Sequence, residues 1–195
     1  MGQRSDAASG VDRSDAAAVA FDALYERCYP KVRAYVGRRV SSDRVDDIVA
    51  DTFLVAWRKF DAVPSDSSAL LWLYRVAYRA VGDHWRSLSR RRRLGDRIAA
   101  LPSLHHDDPA EDALVDDEVQ RVLAAAERLN PKDSEVLRLA CWEGLTNSEI
   151  AAVLGLSANA TAQRLHRARR NLTKQFDRLA GQDRATSATH DGGTS

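Results

Sequence analysis

The amino-acid sequence predicts an all-α protein with two small helical domains joined by a flexible acidic linker. Apolar residues recur at the three- and four-residue intervals of α-helices, and no stretch shows the sustained alternation that is typical of strands. Two helical blocks, residues 19–93 and 117–179, flank a polar stretch at 94–116. Residues 1–18 and 180–195 are rich in small and polar side chains, so we expect both ends to be disordered.

The composition is that of a protein with real hydrophobic cores and no membrane insertion. Of 195 residues, 44% are hydrophobic, and the formal net charge is only +1. No apolar run approaches the roughly 18 residues needed to span a bilayer, and the N-terminus lacks the apolar stretch of a signal peptide. Cys28 and Cys141 lie in apolar contexts, and we expect both to be buried, reduced thiols.

The near-zero net charge hides strong segregation of charge along the chain. The first block ends in "RSLSRRRR", and the stretch after it turns acidic. Between residues 107 and 118, seven carboxylates occur without a Lys or Arg: Asp107, Asp108, Glu111, Asp112, Asp116, Asp117 and Glu118. Such a stretch is too polar to form a third core, and it is predicted to be a linker.

The second block contains the pattern of a helix–turn–helix. In "TNSE", Thr146 and Glu149 fit a capping box, and an apolar face follows in the next two turns. Gly155 ends this helix, and Ser157 caps the next one. A short helix, a turn with Gly and a longer second helix is the layout of DNA-binding helix–turn–helix motifs.

The second helix of this motif distinguishes DNA binding from an ordinary helical hairpin. At 100° per residue its apolar side chains share one side, and its basic side chains share the other. The basic side contains Gln163, Arg167, Arg170, Lys174 and Arg178, with Arg164 and Asn171 at its edge. Arg beside Asn and Gln suits insertion into a major groove, and the N–H groups at Thr146 and Ser157 are candidate phosphate contacts. A solvated basic face is the alternative.

In the first block, residues 44–61 form a periodic helix with two distinct faces. The predicted core arc contains Val45, Val49, Phe53, Ala56, Trp57 and Phe60, and the opposite arc contains Asp47, Asp51, Leu54 and Arg58. An exposed Leu54 among charged residues is either a stray surface residue or a protein–protein contact.

Residues 67–93 place a stripe of arginines on one side of a long helix. Arg75, Arg79, Arg86, Arg90 and Arg93 fall within an arc of about 60°, with Trp72 and Asp83 at its edges. Arginines neutralise phosphates, and aromatic rings stack on unpaired bases. The alternative is that Trp72, Tyr74, Tyr78 and Trp85 belong to the core, which we expect of two of the four.

The sequence contains no pattern that predicts catalysis, a cofactor, a metal site or a small-molecule substrate. His84 has no second ligand three or four residues away, and the His105–Asp108 run lies in the acidic linker. No nucleophile–base arrangement, glycine-rich phosphate loop or carboxylate pair is present.

Three motifs in order resemble an extracytoplasmic-function (ECF) sigma factor, a small member of the sigma-70 family of bacterial RNA polymerase. They are "DDIVADTFLVAWRKFD", "LLWLYRVAYRAVGDHWRSLSRRRR" and "LNPKDSEVLRLACWEGLTNSEIAAVLGLSANATAQRLHRARRNL". The resemblance covers about residues 21–179, apart from the linker, and it implies that the blocks correspond to sigma regions 2 and 4.

The resemblance implies a role for each face. In the first block, one face would bind the clamp helices of core polymerase, and it consists of Asp47, Asp51, Leu54 and Arg58. The −10 promoter element is recognised and opened by Trp72, Arg75, Arg79, Asp83, His84, Arg86 and Arg90. In the second block, which also contacts the polymerase flap, the −35 element is read by Thr146, Ser157, Asn159, Gln163, Arg164, His166, Arg167, Arg170 and Lys174.

The resemblance also implies that the acidic linker threads the polymerase channel that later carries RNA. It further implies an anti-sigma factor as a partner and a cytoplasmic location, on the nucleoid when the protein is bound to polymerase.

The chain departs from the family pattern where specificity is set. Ala50 replaces a usual Gln in the polymerase-binding motif, and Arg79 replaces a frequent Asn in the −10 motif. In the recognition helix, Ala160 and Ala162 replace a common Thr and Lys. The resemblance therefore predicts which elements are read and leaves their base sequences open.

Three other functions compete with this interpretation. A stand-alone helix–turn–helix regulator would bind operators without polymerase, and its first block would bind a ligand or accept a phosphate. A nucleic-acid enzyme would need a metal or nucleophile constellation. An anti-sigma or adaptor protein would bind polymerase or a sigma factor without binding promoter DNA.

Overall fold

The computed structural model describes the backbone of residues 6–95 and 117–190 and the side chains of residues 15–91 and 118–182. These residues form seven α-helices and a 3₁₀ turn at Phe60–Ala62, with no β-strand among them. The helices are α1 (Asp6–Gly37), α2 (Ser42–Arg58), α3 (Ala69–Gly95), α4 (Asp117–Glu127), α5 (Pro131–Cys141), α6 (Asn147–Leu154) and α7 (Ala158–His190). The predicted all-α class is confirmed.

The chain divides into two compact units, Met1–Asp107 and Asp108–Ser195. The first unit contains α1 to α3, and the second contains α4 to α7. Most of the predicted linker, residues 96–116, lies outside the described residues, as does its His105–Asp108 run.

The two ends of the described chain differ from the prediction of disorder. The backbone is helical from Asp6, within the predicted disordered N-terminus, and α7 continues past residue 180 to His190. Both segments are rich in Ala with interspersed polar residues and contain no proline, so each continues the helix that it adjoins.

In the first unit, each of the three helices contacts the other two. Their apolar stripes meet in a core that includes Val32, Tyr35 and Val36 of α1, Val49, Phe53 and Ala56 of α2, and Leu73, Tyr74 and Ala77 of α3. The rings of Tyr35 and Tyr74 lie 4.9 Å apart between α1 and α3. The core arc predicted on α2 is therefore largely confirmed.

Trp57 is the exception, because 48% of this residue is exposed. It lies at the edge of the apolar arc of α2, where the ring of Phe21 on α1 packs edge-on at 4.9 Å. The prediction that Trp57 is a core residue was wrong, since periodicity does not show how far the neighbouring helix extends over the edge of an arc.

In the second unit, α4, α5 and α6 all pack on α7. The core contains Val136 and Leu139 of α5, Ile150 and Val153 of α6, and Leu165 and Ala168 of α7. The apolar side predicted for α7 faces this core, and its later members Leu172, Phe176 and Leu179 are half-buried.

The two cysteines differ in their surroundings, and both are free thiols. Cys28 is buried in α1 as predicted, whereas Cys141 is exposed. The prediction for Cys141 was wrong because this last residue of α5 lies beside the exposed Trp142, and not under the core.

Among the described residues, no helix is both long enough and apolar enough to cross a membrane.

The start of α6 is fixed by the predicted capping box. The Thr146 backbone N–H donates to Glu149 Oε2 at 2.8 Å, and the Glu149 N–H donates weakly to Thr146 Oγ1 at 3.4 Å. The Thr146 backbone N–H and, second, its hydroxyl lower the pKa of Glu149 below its ordinary value of 4.5. The carboxylate form of Glu149 therefore stabilises the cap.

A prediction about pH follows from this cap. A carboxyl group with a lowered folded pKa stabilises the fold above its unfolded pKa of 4.5 and loses that effect as the pH falls through the folded pKa. At neutral pH, Glu149→Gln should cost about 0.5 kcal/mol, a small capping effect because the cap is exposed. Urea unfolding of both proteins across pH should show this gap closing in acid; a gap independent of pH would contradict the assignment.

A second prediction compares two fully buried threonines. In α2 the Thr52 hydroxyl donates to the Ile48 carbonyl at 2.8 Å, whereas the Thr161 hydroxyl of α7 has no hydrogen-bond partner among the described residues. Replacing Thr161 by the isosteric Val removes an unsatisfied buried group and should stabilise the second unit by about 1 kcal/mol.

Thr52→Val is the matched control, since it removes a hydrogen bond that is made. It should destabilise the first unit by about 0.5–1.5 kcal/mol. Amide hydrogen exchange followed in peptides from each unit measures the two effects separately. Equal signs for the two substitutions would contradict this account of Thr161.

Candidate nucleic-acid interface

The second unit presents a helix–turn–helix built from α6, a short turn and α7. Gly155 ends α6 with φ +69° and ψ +36°, the left-handed conformation that Gly adopts at little cost. The Leu156 N–H donates to the Ala151 carbonyl at 3.0 Å, and the Ala160 N–H donates to Ser157 Oγ at 3.1 Å. These bonds set the direction in which α7 leaves the turn, and the predicted helix end at Gly155 and cap at Ser157 are confirmed.

The face of α7 that points away from the core contains most of the residues proposed to read DNA. Leu165 and Ala168 are buried on the core side. Arg164 is half-buried at the edge of the exposed face. The other α7 residues proposed to read DNA are exposed: Asn159, Gln163, His166, Arg167, Arg170 and Lys174. One exposed side of one helix thus brings together four cationic side chains with an imidazole and two amides.

Thr146 is less available for phosphate than the sequence suggested. Its backbone N–H and its hydroxyl both donate to Glu149 Oε2, at 2.8 and 2.7 Å. A phosphate at this position would have to displace the carboxylate. Ser157 is exposed, and its hydroxyl oxygen caps the first turn of α7.

In the first unit, α3 presents a second basic face. Arg75, Arg79, Arg86 and Arg90 are exposed, and Asp83 is exposed beside them, where it accepts a hydrogen bond from Arg86. Leu73 and Ala77 are fully buried on the opposite side of the helix. The arc predicted from spacing is therefore a surface of the folded unit.

The aromatic residues of α3 are more exposed than expected. We expected two of the four to be core residues, but Tyr74 alone is buried, while Trp72, Tyr78 and Trp85 are half-buried. Three aromatic rings therefore reach the surface on the helix that carries the arginines.

His84 lies half-buried on α3 with its ring edge-on to Trp85, at 5.7 Å between centroids. Burial lowers the pKa of His84 below 6.5, and the charges of Arg44 and Arg91 lower it further against the opposing effect of Asp43. The imidazole is therefore neutral at pH 7, so it can donate or accept a hydrogen bond but adds no positive charge to this face.

A third surface lies on α2, where Asp47, Asp51, Leu54 and Arg58 are all exposed. Leu54 is 44% exposed. Asp47 forms an ion pair with Arg44, with 2.9 Å between the guanidinium nitrogen and the carboxylate oxygen. Sequence reasoning did not include Trp57 in this surface. The available signal was its position three residues after Leu54, which places the two side chains side by side on the helix.

Comparison with known families assigns both units. The model of sigma-70 region 2 matches residues 24–91, which include the second half of α1 from residue 24, all of α2 and most of α3. The model of sigma-70 region 4 matches residues 119–172, which run from α4 into α7 and include the helix–turn–helix.

Curated relatives are RNA polymerase sigma factors. The chain is 33% identical over 141 residues to the RNA polymerase sigma factor CnrH of Cupriavidus metallidurans, covering 68% of this chain and 73% of that protein. It is 26% identical over 168 residues to the ECF RNA polymerase sigma-E factor of Escherichia coli, covering 82% of this chain and 88% of that protein.

Two solved structures share the fold. CnrH in complex with the cytosolic domain of CnrY matches with a TM-score of 0.57 at 29% identity, covering 83% of this chain and 94% of that chain. The sigma factor RpoE in complex with the anti-sigma factor NepR, from Bartonella quintana, matches with a TM-score of 0.65 at 23% identity, covering 80% and 96% of the two chains. Since both units match sigma-70 regions and the relatives extend across them, the chain belongs to the extracytoplasmic-function group of the sigma-70 family of RNA polymerase sigma factors.

Proposed function

We propose that this sigma factor holds a promoter at two points while bound to core RNA polymerase, with α7 on the −35 element and α3 on the −10 element. The observation that supports this division is the presence of one exposed basic helix face in each unit, each directly opposite a buried apolar face. Sigma factors are transcription initiation factors, and we infer that this chain contributes binding energy and no catalytic chemistry of its own.

For the −35 element we propose that α7 enters the major groove of duplex DNA. Asn159, Gln163 and Arg164 lie in its first two turns, where a recognition helix contacts base edges. Arg167, Arg170 and Lys174 follow on the exposed side and suit the phosphates on the groove walls. Ser157 and Thr146 cap the starts of α7 and α6, where they would contact the phosphates of the DNA backbone. Thr146 would first have to give up its hydrogen bonds to the Glu149 carboxylate.

For the −10 element we propose that α3 binds DNA and helps to separate its strands. Arg75, Arg79, Arg86 and Arg90 would neutralise phosphates, and Trp72 would stack on an exposed base at the edge of this face. Asp83 fixes the guanidinium of Arg86, and neutral His84 offers a hydrogen bond to a base.

We propose the surface of α2 as the contact with the clamp helices of the polymerase. Leu54 is a solvent-exposed apolar side chain among Asp47, Asp51 and Arg58, which is the composition of an interface anchor with a charged rim. The second unit would contact the polymerase flap, and both assignments rest on the family.

Two further inferences concern a protein partner and the location of the chain in the cell. The relative RpoE was solved with the anti-sigma factor NepR, so we infer that this chain also has an anti-sigma partner. Bacterial core polymerase works on the nucleoid, which makes the cytoplasm the proposed location. A stand-alone regulator is not favoured, because the first unit matches sigma-70 region 2.

Run-off transcription with purified core polymerase tests this function. The chain should direct initiation from specific sites among genomic promoter fragments, and core polymerase alone should not. Arg167→Ala removes a proposed −35 contact and should lower −35-dependent initiation about 5- to 100-fold, as for the loss of one good DNA contact, while core affinity stays normal. Arg169→Ala is the matched control, because Arg169 is exposed on α7 about 160° from Arg167.

Asp51→Arg should show the reverse pattern. A reversed charge in the clamp-binding surface should weaken core affinity at least tenfold, and Glu26→Arg, an equal charge reversal on the solvent side of α1, should not. Binding of labelled core polymerase measures both. Normal core affinity in Asp51→Arg, or lost core affinity in Arg167→Ala, would contradict the division of roles.

A further inference from the structure

Among the side chains that the structure describes, four hydroxyl groups lie three residues after an arginine in the sequence. Protein kinases select their serine or threonine partly by such charge patterns, because an acidic substrate groove binds the arginine. The four pairs are Arg38 and Ser41, Arg39 and Ser42, Arg86 and Ser89, and Arg170 and Thr173. Two properties of the structure distinguish them: whether the arginine is exposed, and whether the segment can open without exposing the core.

The two pairs before α2 do not present their arginines to a partner. Arg39 is buried, and its Nη1 donates to the Tyr35 carbonyl at 2.7 Å. Its guanidinium carbon lies 3.6 Å from the centre of the Tyr35 ring, and Arg38 is half-buried. A kinase could contact these two guanidinium groups fully only after the turn that follows α1 had come apart.

Thr173 lies in a packed part of α7. Its hydroxyl donates to the Arg169 carbonyl at 3.2 Å. Leu172 before it and Phe176 after it are half-buried on the apolar side of the helix. To fit a kinase, this part of α7 would have to open and expose both apolar side chains, which makes the Thr173 hydroxyl a poor acceptor for phosphate.

Ser89 meets both conditions. The side chains of Ser89 and Arg86 are exposed. Val81 is the last buried residue among the described side chains of α3, so the turns around Ser89 contain no core residue. A segment with few buried contacts opens locally at low cost, and local opening gives a kinase the extended backbone that it binds.

A phosphate on Ser89 would act on the arginine face of α3. Ser89 lines a shallow groove together with Trp85, Arg86 and Arg90. A phosphoserine carries about −1.5 to −2 charges at pH 7 and forms charge-assisted hydrogen bonds with nearby arginines. Arg86, which donates to Asp83, would then divide its donors between that carboxylate and the phosphate. Since Arg86 and Arg90 are two of the four arginines of this face that the structure describes, their neutralisation would cancel about half of its positive charge.

We propose that Ser89 is a phosphorylation site for an arginine-directed serine/threonine kinase, and that its phosphate weakens the binding of α3 to promoter DNA. The kinase transfers the γ-phosphoryl group of ATP to Ser89 Oγ. The bond between the γ-phosphorus and the β–γ bridging oxygen breaks, the Oγ–P bond forms, ADP leaves, and the hydroxyl proton passes to the kinase. The proposal rests on the proposed function of α3 and adds a means of switching that function off.

The first test treats the full chain with ATP and the catalytic subunit of cyclic-AMP-dependent protein kinase, which selects serines that follow arginines. Mass spectrometry of the treated chain should locate phosphate on Ser89 in preference to Ser41, Ser42 and Thr173. Ser89→Ala removes the acceptor hydroxyl. Thr173→Ala is the matched control, because it removes a hydroxyl with the same arginine spacing from the other unit.

The second test assembles each treated chain with core polymerase and measures binding to a promoter fragment found by run-off transcription. Near a salt concentration of about 0.1 M, kinase treatment should weaken DNA binding by wild type and Thr173→Ala about 10- to 100-fold, as for the loss of two phosphate contacts. The slope of log affinity against log salt should fall by about 2 for the same reason. Ser89→Ala should bind normally with and without treatment, and core affinity should be equal in all samples.

A third measurement tests whether the site is used in cells. The chain is isolated from the bacterium that makes it, in growing and in starved cultures, and its peptides are analysed by mass spectrometry. A peptide with phosphate on Ser89 should be present in at least one of the two cultures.

Three results would overturn the proposal: no transfer to Ser89 by the kinase, unchanged DNA affinity in the chain phosphorylated at Ser89, or no Ser89 phosphate in either culture. Failure of the proposed function would look different, since the untreated wild-type holoenzyme would then not initiate at specific sites. A failed phosphorylation proposal leaves that initiation intact.

Discussion

Like charges lie side by side on single faces of α3 and α7, and the packing of each unit has to overcome their repulsion. Arg170, Lys174 and Arg178 follow one another at four-residue intervals on α7, as do Arg86 and Arg90 on α3. Each such pair destabilises an isolated helix by roughly 0.2–0.5 kcal/mol. Burial of one leucine, such as Leu73 or Leu165 on the opposite faces, contributes about 1.5–3 kcal/mol. Packing therefore outweighs the repulsion, and these cations stay exposed on the surfaces of their helices.

The same arrangement explains why each basic face belongs to a packed unit and not to a free helix. A helix with a one-sided run of cations needs an apolar partner surface, which α1 and α2 provide for α3, and α4 to α6 provide for α7. The Gly155 turn and the Ser157 cap then set the direction of α7 relative to α6. The direction of the basic side of α7 thus follows from local turn chemistry.

Many of the buried and exposed helix faces could be predicted from the sequence, because helical periodicity shows which side of a helix is apolar. The buried positions of Val49 and Phe53 on α2 and the exposed arginines of α3 followed from spacing alone. So did the capping box at Thr146, since its residue types and interval are specific.

What could not be predicted depends on the neighbouring helix. Trp57 and Cys141 lie at the edges of their helix faces, where exposure is decided by how far the neighbouring element extends. The unsatisfied Thr161 hydroxyl could be recognised only from the packed side chains. Similarly, the pairing of the Thr146 N–H with Glu149 competes with the phosphate contact that the sequence suggested.

The central claim is that two weak DNA-binding surfaces act together only when polymerase holds both. Joining two sites can raise affinity 10²–10⁴-fold through effective concentration without any new contact. The most direct test compares holoenzyme affinity for fragments with the −35 element alone, the −10 element alone and both at their natural spacing. The account predicts much tighter binding to the fragment with both elements, and only when core polymerase is present. Equally tight binding by the free chain, or no gain from the second element, would contradict it.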